Sequence, residues 1–307
     1  MSAWRACNEV RGAKITSITC VQHSEANVNT IELTLFVFLG SLAAGFLGSL
    51  TGLGGGVVIV PLLTLAFHVD IRYAIGASLV SVIATSSGAA AAYVREGYSN
   101  IRVGMFLEIA TTIGAITGAL VAVHLPLRVI AIIFGLVLLY SAYISYRPPA
   151  KELYAEKTGR YAALLRMDSS YPTSDGFKEY HVQGVPLGFG IMYIAGVLSG
   201  ILGIGSGAVK VLAMDRAMHL PFKVSTTTSN FMIGVTAAAS AGVYLNRGYI
   251  DPGLAMPVML GVLAGSLAGT FVLAKARVPL LRTVFSFVIA ALAVEMIVNG
   301  LSGRFSH

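Results

Sequence analysis

Charge is scarce in this chain. Only 11 % of its 307 residues are Asp, Glu, Lys or Arg, against roughly 25 % in soluble domains. With 56 % hydrophobic residues and a mean hydropathy of +0.78, that deficit excludes an ordinary soluble enzyme. It also excludes a disordered chain, which needs many charges and few apolar side chains. Cysteine is nearly absent: Cys7 and Cys20 are the two, both in a polar N-terminal stretch. No CxxC, HExxH or histidine cluster occurs, so no metal and no cofactor is expected. No glycine-rich run is followed by the Lys-Ser/Thr of a phosphate-binding loop, which leaves an ion gradient or the membrane potential as the energy source. Basic clusters with interleaved aromatics are missing too. The net charge of +7 therefore reads as loops against anionic headgroups, with membrane lipid and not nucleic acid as the partner.

What is present is apolar length. Five charged residues lie in 1–30 and eleven in 147–183. Most others fall in short joins between apolar runs that can cross a hydrocarbon core, which takes about 20 residues. Residues 1–30 read as a polar extension without the apolar core of a signal peptide. From there the chain matches itself at an offset of 151, with 20 identities over the 81 ungapped positions of 44–124 against 195–275. Gly45 meets Gly196, His68 meets His219, Ser78 meets Ser229, Tyr98 meets Tyr249, and Gly114 and Gly118 meet Gly265 and Gly269. Such self-similarity decides the architecture.

Each repeat reads as five segments, about 31–51, 55–68, 72–95, 103–123 and 126–146, then 184–202, 206–219, 223–246, 253–274 and 279–300. Lipid offers backbone polar groups no partner, so the segments are expected to be helices, and they lack the alternation of barrel strands. The expected fold is an all-α membrane protein: a polytopic helical bundle of two homologous repeats, 31–146 and 184–302. A charged, solvated linker joins them at 147–183, with a short surface helix around 151–167. The second segment of each repeat spans about 14 residues and reads as a half-helix or re-entrant piece. Five crossings per repeat would invert the second copy. The Lys and Arg count does not decide this, and inverted repeats are the favoured reading.

Paired glycine-interrupted segments at matching positions of two repeats point to a transporter's binding site. Here they carry Gly54, Gly55 and Gly56 in the first copy and Gly205, Ser206 and Gly207 in the second. Glycine lets a chain leave helical geometry, and a helix that restarts points N–H groups and its positive dipole end into the cavity. Two such ends facing one cavity suit a small, doubly charged anion. Close helix packing is the other use of the same residues.

The run Thr51–Leu63, TGLGGGVVIVPLL, resembles the GxGGGxxxxPxL signature of the TauE/SafE sulfite exporter family. SGILGIGSGAVKVLAM followed by LPFKVSTTTSNFMIG is similar to the second half of that family, and the likeness covers roughly 33–300. The second copy departs from the signature at Ser206, at Lys210 in a normally apolar position, and at Leu212 where Pro61 has its proline. The resemblance implies a multi-pass protein of the bacterial inner membrane that exports sulfite, organosulfonates or related small sulfur anions. The departures leave the anion open.

Several polar residues inside the repeats are candidates for that chemistry. Lys210, whose counterpart is Ile59, sits about one turn into the second half-helix. A lysine at mid-membrane costs about 2.5–3.5 kcal/mol, so it marks an anion-holding cation or a gate, unless it snorkels or pairs with Asp215. The string Ser225–Asn230 offers Thr226, Thr227, Ser229 and Asn230, and the first repeat offers Ser78. Hydroxyls and an amide can donate to sulfonate oxygens without adding charge, unless they are spent on caps and interhelical bonds. Glu108 and Glu295 are candidates for a coupling proton, or interfacial carboxylates reaching water. Arg72 and Lys223 read as headgroup or topological contacts, and the paired glycines 114/118 and 265/269 as close helix contacts.

These features favour a secondary transporter of a small anion working by alternating access. A passive anion channel is the first alternative. A membrane-embedded enzyme or an assembly factor is the second, although no nucleophile–base pair or metal cluster is in view. The sequence leaves a homo-oligomer open.

Overall fold

The computed structural model describes residues 30–51, 56–95, 97–146, 158–173, 176–273 and 278–302. The N-terminal extension with both cysteines lies outside the described residues, as do Gly54 and Gly55. By contacts, Met1–Leu33 forms one unit and Thr34–His307 another. The architecture below is that of the second.

Helix α1 (Thr30–Thr51) precedes a six-residue helix α2 (Gly56–Pro61) that widens into a π turn at Leu62–Ala66. Three long helices follow: α3 (Ile71–Arg95), α4 (Ile101–His124) and α5 (Leu127–Tyr146). After a short helix α6 (Arg160–Leu164) and a hairpin, the same series returns. It comprises α7 (Val185–Leu202), α8 (Gly207–Leu212) with a π turn at Ala213–Ala217, α9 (Phe222–Asn246), α10 (Pro252–Leu273) and α11 (Val278–Leu301). Helices α2 to α5 and the first π turn start 151 residues before their later counterparts. His68 and His219, just past the two π turns, both have positive φ, 52° and 58°.

The hairpin is the departure from an all-α expectation. β1 (Ser169–Thr173) pairs antiparallel with β2 (Gly176–Tyr180), Tyr171 facing Lys178 and Ser169 facing Tyr180. Two tyrosines anchor it. Tyr171 and Tyr180 turn inward, 6.1 Å apart by ring centroids, and join a cluster with Met167, Val103, Leu107, Met218 and Val224, while Phe177, Lys178 and Glu179 face out. The part of 147–183 read as solvated linker that is described is thus folded, and α6 falls within the expected surface helix.

Apolar side chains also lie on the outside, and hydroxyls lie among the apolar core. Met105, Ile109, Ile113, Ile116 and Leu120 form one exposed stripe along α4, at the three- and four-residue spacing of one helix face. The interior meanwhile holds Ser78, Thr111, Ser199, Lys210, Ser225, Thr228, Ser229, Thr236 and Ser240. Water would leave such a stripe costly; lipid tails accept it. Helices α4 and α7 have the length and apolarity to cross a bilayer, and shorter apolar stretches occur in α1, α3, α5, α10 and α11 and across α2 with its π turn.

Glycines set the closest helix contacts. A Cβ on Gly114 would lie 2.3 Å from the carbonyl oxygen of Tyr193, and one on Gly196 would lie 2.2 Å from that of Thr111. This joins α4 to α7. Equivalent residues join α1 to α10: a Cβ on Gly265 would lie 2.0 Å from the oxygen of Leu42, and one on Gly45 would lie 2.4 Å from that of Val262. Residue numbers rise together along both contacts, so each pair runs parallel. Helices α5 and α11 run antiparallel. Gly135 faces Ala293 and Ile297, Gly300 faces Arg128, and Ser286 donates to the Ala142 carbonyl at 2.7 Å.

Candidate functional site

The two chain breaks meet through Ser78. The second break is held open by left-handed backbone at Gly203 (φ 68°), Gly205 (φ 72°) and Ser206 (φ 46°). Left-handed geometry suits glycine and strains serine. Ser78 Oγ lies 2.9 Å from the carbonyl oxygen of Gly203 and 3.4 Å from that of Gly56, and donates its one proton between them. On the other side, Ser229 Oγ donates to the carbonyl of Gly207 at 3.3 Å. A Cβ on Gly56 would come within 2.7 Å of Val82, and one on Gly205 within 2.7 Å of Ile233. The described glycines of both breaks are thus fixed by close approach of α3 and α9.

Four residues into α8 stands Lys210, fully buried. It does not snorkel and does not pair with Asp215, which lies 3.7 Å from Arg216. The Nζ donates to Thr236 Oγ1 at 2.5 Å. Thr236, on α9 and also fully buried, is 2.7 Å from Glu108 Oε1. Its other close oxygens are the Met232 carbonyl at 2.9 Å and Thr111 Oγ1 at 3.4 Å. Since the hydroxyl has one proton, accepting from Lys210 leaves it to donate to the carboxylate, the nearest acceptor. Thr112 also donates to Oε1, at 3.2 Å. Glu108 is 8 % exposed, and its Oε2 is buried without a hydrogen-bond partner among the described residues. A cation from α8 and a carboxylate from α4 are therefore joined through a hydroxyl of α9.

Unused bonding capacity marks this place. An ammonium has three donors, and Lys210 spends one of them among the described residues. The Ser206 hydroxyl, at the start of α8, is buried without a partner among the described residues. A buried polar group with no partner costs about 1–3 kcal/mol, so such groups in one neighbourhood call for an explanation.

The remaining candidates lie elsewhere or are already engaged. Thr226 donates to the Phe222 carbonyl at 2.8 Å, and Thr227 to the carbonyls of Lys223 and Tyr98 at 3.0 and 3.1 Å. Their protons are spent on backbone, the usual fate of a hydroxyl inside a helix. Asn230 is half-buried on α9. Glu295 is exposed on α11 beside Phe287, Val294 and Val298, apart from the Lys210 cluster. Arg72 donates to the carbonyls of Val123 and Leu125 at 3.3 and 3.1 Å, closing the end of α4. Thr236 and Thr111 were not among the sequence candidates. The signal was present for Thr236, which aligns with Thr85 at the 151-residue offset.

Relatives give the same class. A family profile described as "Sulfite exporter TauE/SafE" matches residues 37–296. "Probable membrane transporter protein YunE" of Bacillus subtilis is 26 % identical over 88 % of this chain and 99 % of its own length. "Probable membrane transporter protein YdhB" of the same organism is 26 % identical over 77 % of this chain and 87 % of its own. A "Probable membrane transporter protein" of Xylella fastidiosa is 26 % identical over 86 % and 95 %. No solved structure matches the chain at a significant level. The lipid-facing apolar surface, the broken helices and the match over most of the chain lead to one assignment: this protein belongs to the TauE/SafE sulfite exporter family of membrane transporters.

Proposed function

We propose that this protein is a secondary transporter that moves a small sulfur oxyanion or organosulfonate across the bacterial inner membrane by alternating access. The observation that carries this reading is Lys210: a fully buried ammonium beside a helix break, with one of its three donors engaged. A cation so placed favours an anion, and unfilled donors favour one with several oxygens, such as sulfite or a sulfonate. The partnerless Ser206 hydroxyl is the second donor in this reading. The hydroxyls of Ser78 and Ser229 hold the breaks in shape rather than touching the anion, and Gly56, Gly205 and Gly207 form its backbone frame.

The two halves are repeats of inverted orientation in this proposal. The fixed offset of the helix starts supports the repeat. The parallel pairs α1–α10 and α4–α7, with the antiparallel pair α5–α11, support the inversion. Helices α5 and α11 are counterparts at the 151-residue offset, so their opposite directions are what an inverted second half requires. Five passes per half fit this inversion, the second made by α2 with its π turn in one half and by α8 with its π turn in the other. Alternating access is then one half rocking against the other about a shared midplane site.

Export is the direction the family description favours, and an inside-negative potential drives an anion outward by about 2.3 kcal/mol per charge per 100 mV. The test is flux in inside-out vesicles and proteoliposomes offered sulfite, thiosulfate, sulfoacetate and sulfate separately. Saturable movement of at least one, with weakened apparent affinity in Lys210→Ala, is expected. Movement of none would sink the sulfur-anion reading, and flux that never saturates would favour a passive channel.

A further inference from the structure

Lys210 and Glu108 come from opposite halves of the chain and share one hydroxyl. We infer that Lys210, Thr236 and Glu108 form a proton-linked anion switch, in which Glu108 takes up one proton for each anion that Lys210 accepts. This inference rests on the anion-transport reading proposed above.

The argument is one of charge in a closed space. With Glu108 ionised, the pair is neutral, and Lys210 is held toward the carboxylate through Thr236 Oγ1 at 2.5 and 2.7 Å. An anion arriving at Lys210 would then place two negative groups around one buried cation, which a low-dielectric interior penalises heavily. A proton on Glu108 removes the conflict. The proton has a place: Oε2 is buried and has no hydrogen-bond partner. Once Glu108 is neutral, Thr236 no longer has an ionic acceptor, and the ammonium is free to turn its donors to the anion. Anion and proton stabilise each other's binding, and linkage requires the effect to be reciprocal.

No other charged group competes for this role among the described residues. On α4, Arg102 donates to the Arg166 carbonyl at 2.9 Å, and His124 Nδ1 lies 2.9 Å from the Leu120 carbonyl. On α7, the Tyr193 hydroxyl lies 3.5 Å from Thr117. Beyond α8, Asp215 and Arg216 face each other. On α9, Lys223 sits 3.8 Å over the Tyr98 ring, and Tyr244 donates to the Gly200 carbonyl at 3.1 Å. The switch is also asymmetric, because Ile59 and Met259 stand where symmetry would place a second Lys210 and Glu108.

Coupling changes what the membrane potential can do. A divalent anion carried with one proton still moves one net negative charge, so an inside-negative potential still favours its exit. A monovalent sulfonate carried the same way is electroneutral, so the potential does no work on it, and its own gradient and the proton gradient together set its direction.

The test is calorimetric titration of the purified protein with sulfite, thiosulfate, sulfoacetate and sulfate, in buffers of different ionisation heat. Such titrations read the protons taken up per anion bound. Wild type should take up about one proton more than Glu108→Gln for the same anion, a difference from which any proton carried by the anion cancels. Wild-type affinity for sulfate, whose charge is constant here, should rise as pH falls by up to about tenfold per pH unit. Glu108→Gln should bind at neutral pH as tightly as wild type does in acid. Thr236→Ser should keep the linkage and Thr236→Val should lose it. Equal proton uptake in wild type and Glu108→Gln overturns the switch and leaves the transport reading standing. If Glu108→Gln does not fold, a pH-independent wild-type affinity for sulfate overturns it instead. Wild type binding none of the four anions overturns both.

Discussion

Arg72 lies over the ring of Tyr249, 5.6 Å from its centroid, with Nη1 3.4 Å from the tyrosine hydroxyl. At the other end of the same relation, Lys223 lies over Tyr98. Each ties the start of a long helix in one half to a loop of the other. Cation–π contacts contribute about 0.5–1 kcal/mol when exposed and about 2 kcal/mol when desolvated. Tyr249→Phe should keep the ring contact and lower the melting temperature in detergent only slightly. Arg72→Ala should lower it further, because the carbonyls of Val123 and Leu125 also lose their donor. Equal effects of the two substitutions would contradict this division.

Lys210→Met should destabilise the protein strongly, since removing one partner of a buried pair costs about 3–5 kcal/mol. The double variant Lys210→Met, Glu108→Gln should recover much of that loss, although it still binds no anion. Size-exclusion profiles after heating, run on both single variants and the double, measure the coupling. Additive losses would mean that Thr236 does not connect the two groups.

Gly114→Ala and Gly265→Ala should each be disruptive, because the added methyl would meet backbone oxygen at 2.3 and 2.0 Å and overpacking costs about 1–3 kcal/mol or more. Gly190→Ala and Gly242→Ala are the matched controls. Nothing lies within 4 Å of either position, and alanine favours a helix over glycine by about 1 kcal/mol. Membrane insertion and detergent stability of the four variants should split two against two.

Acid should loosen the hairpin region before the helices. Burial pushes the Asp168 carboxyl upward, but bonds from Thr158, the Val182 amide and His181 outweigh it and hold it below the usual aspartate range. A folded carboxyl held low stabilises the fold at any pH above its unfolded value, and the stabilisation is lost as pH falls through the folded one. Proteolysis between α6 and α7 should therefore quicken below the ordinary aspartate range. Asp168→Asn should be cut faster at neutral pH and show little further change on acidification. A variant as resistant as wild type at neutral pH would remove Asp168 from this role.

Much of the helical layout was legible because glycine and histidine positions recur at one offset, and lipid allows few ways to satisfy a backbone. Lys210 was legible as a symmetry-breaking charge, and Glu108 as a carboxylate in an apolar run. Their connection was not. Thr236 lies 128 residues from Glu108, and only the packing of α4 on α9 brings them together. The string Thr226–Asn230 read as donors, but a helix offers each hydroxyl a carbonyl four residues back, and Thr226 and Thr227 take it. The hairpin was hidden by its own composition. Pro172, Lys178 and Glu179 look like solvated linker, and two inward tyrosines supply its buried side.

The exchange of partners between the halves has a consequence for how the chain is made. Helix α1 packs its Gly45 against Val262, and α4 packs its Gly114 against Tyr193. As the ribosome delivers the chain in order, α1 enters the lipid long before α10 exists, and α4 waits for α7. The first half therefore cannot complete its packing ahead of the second. Both close together, late, when the last third of the polypeptide arrives.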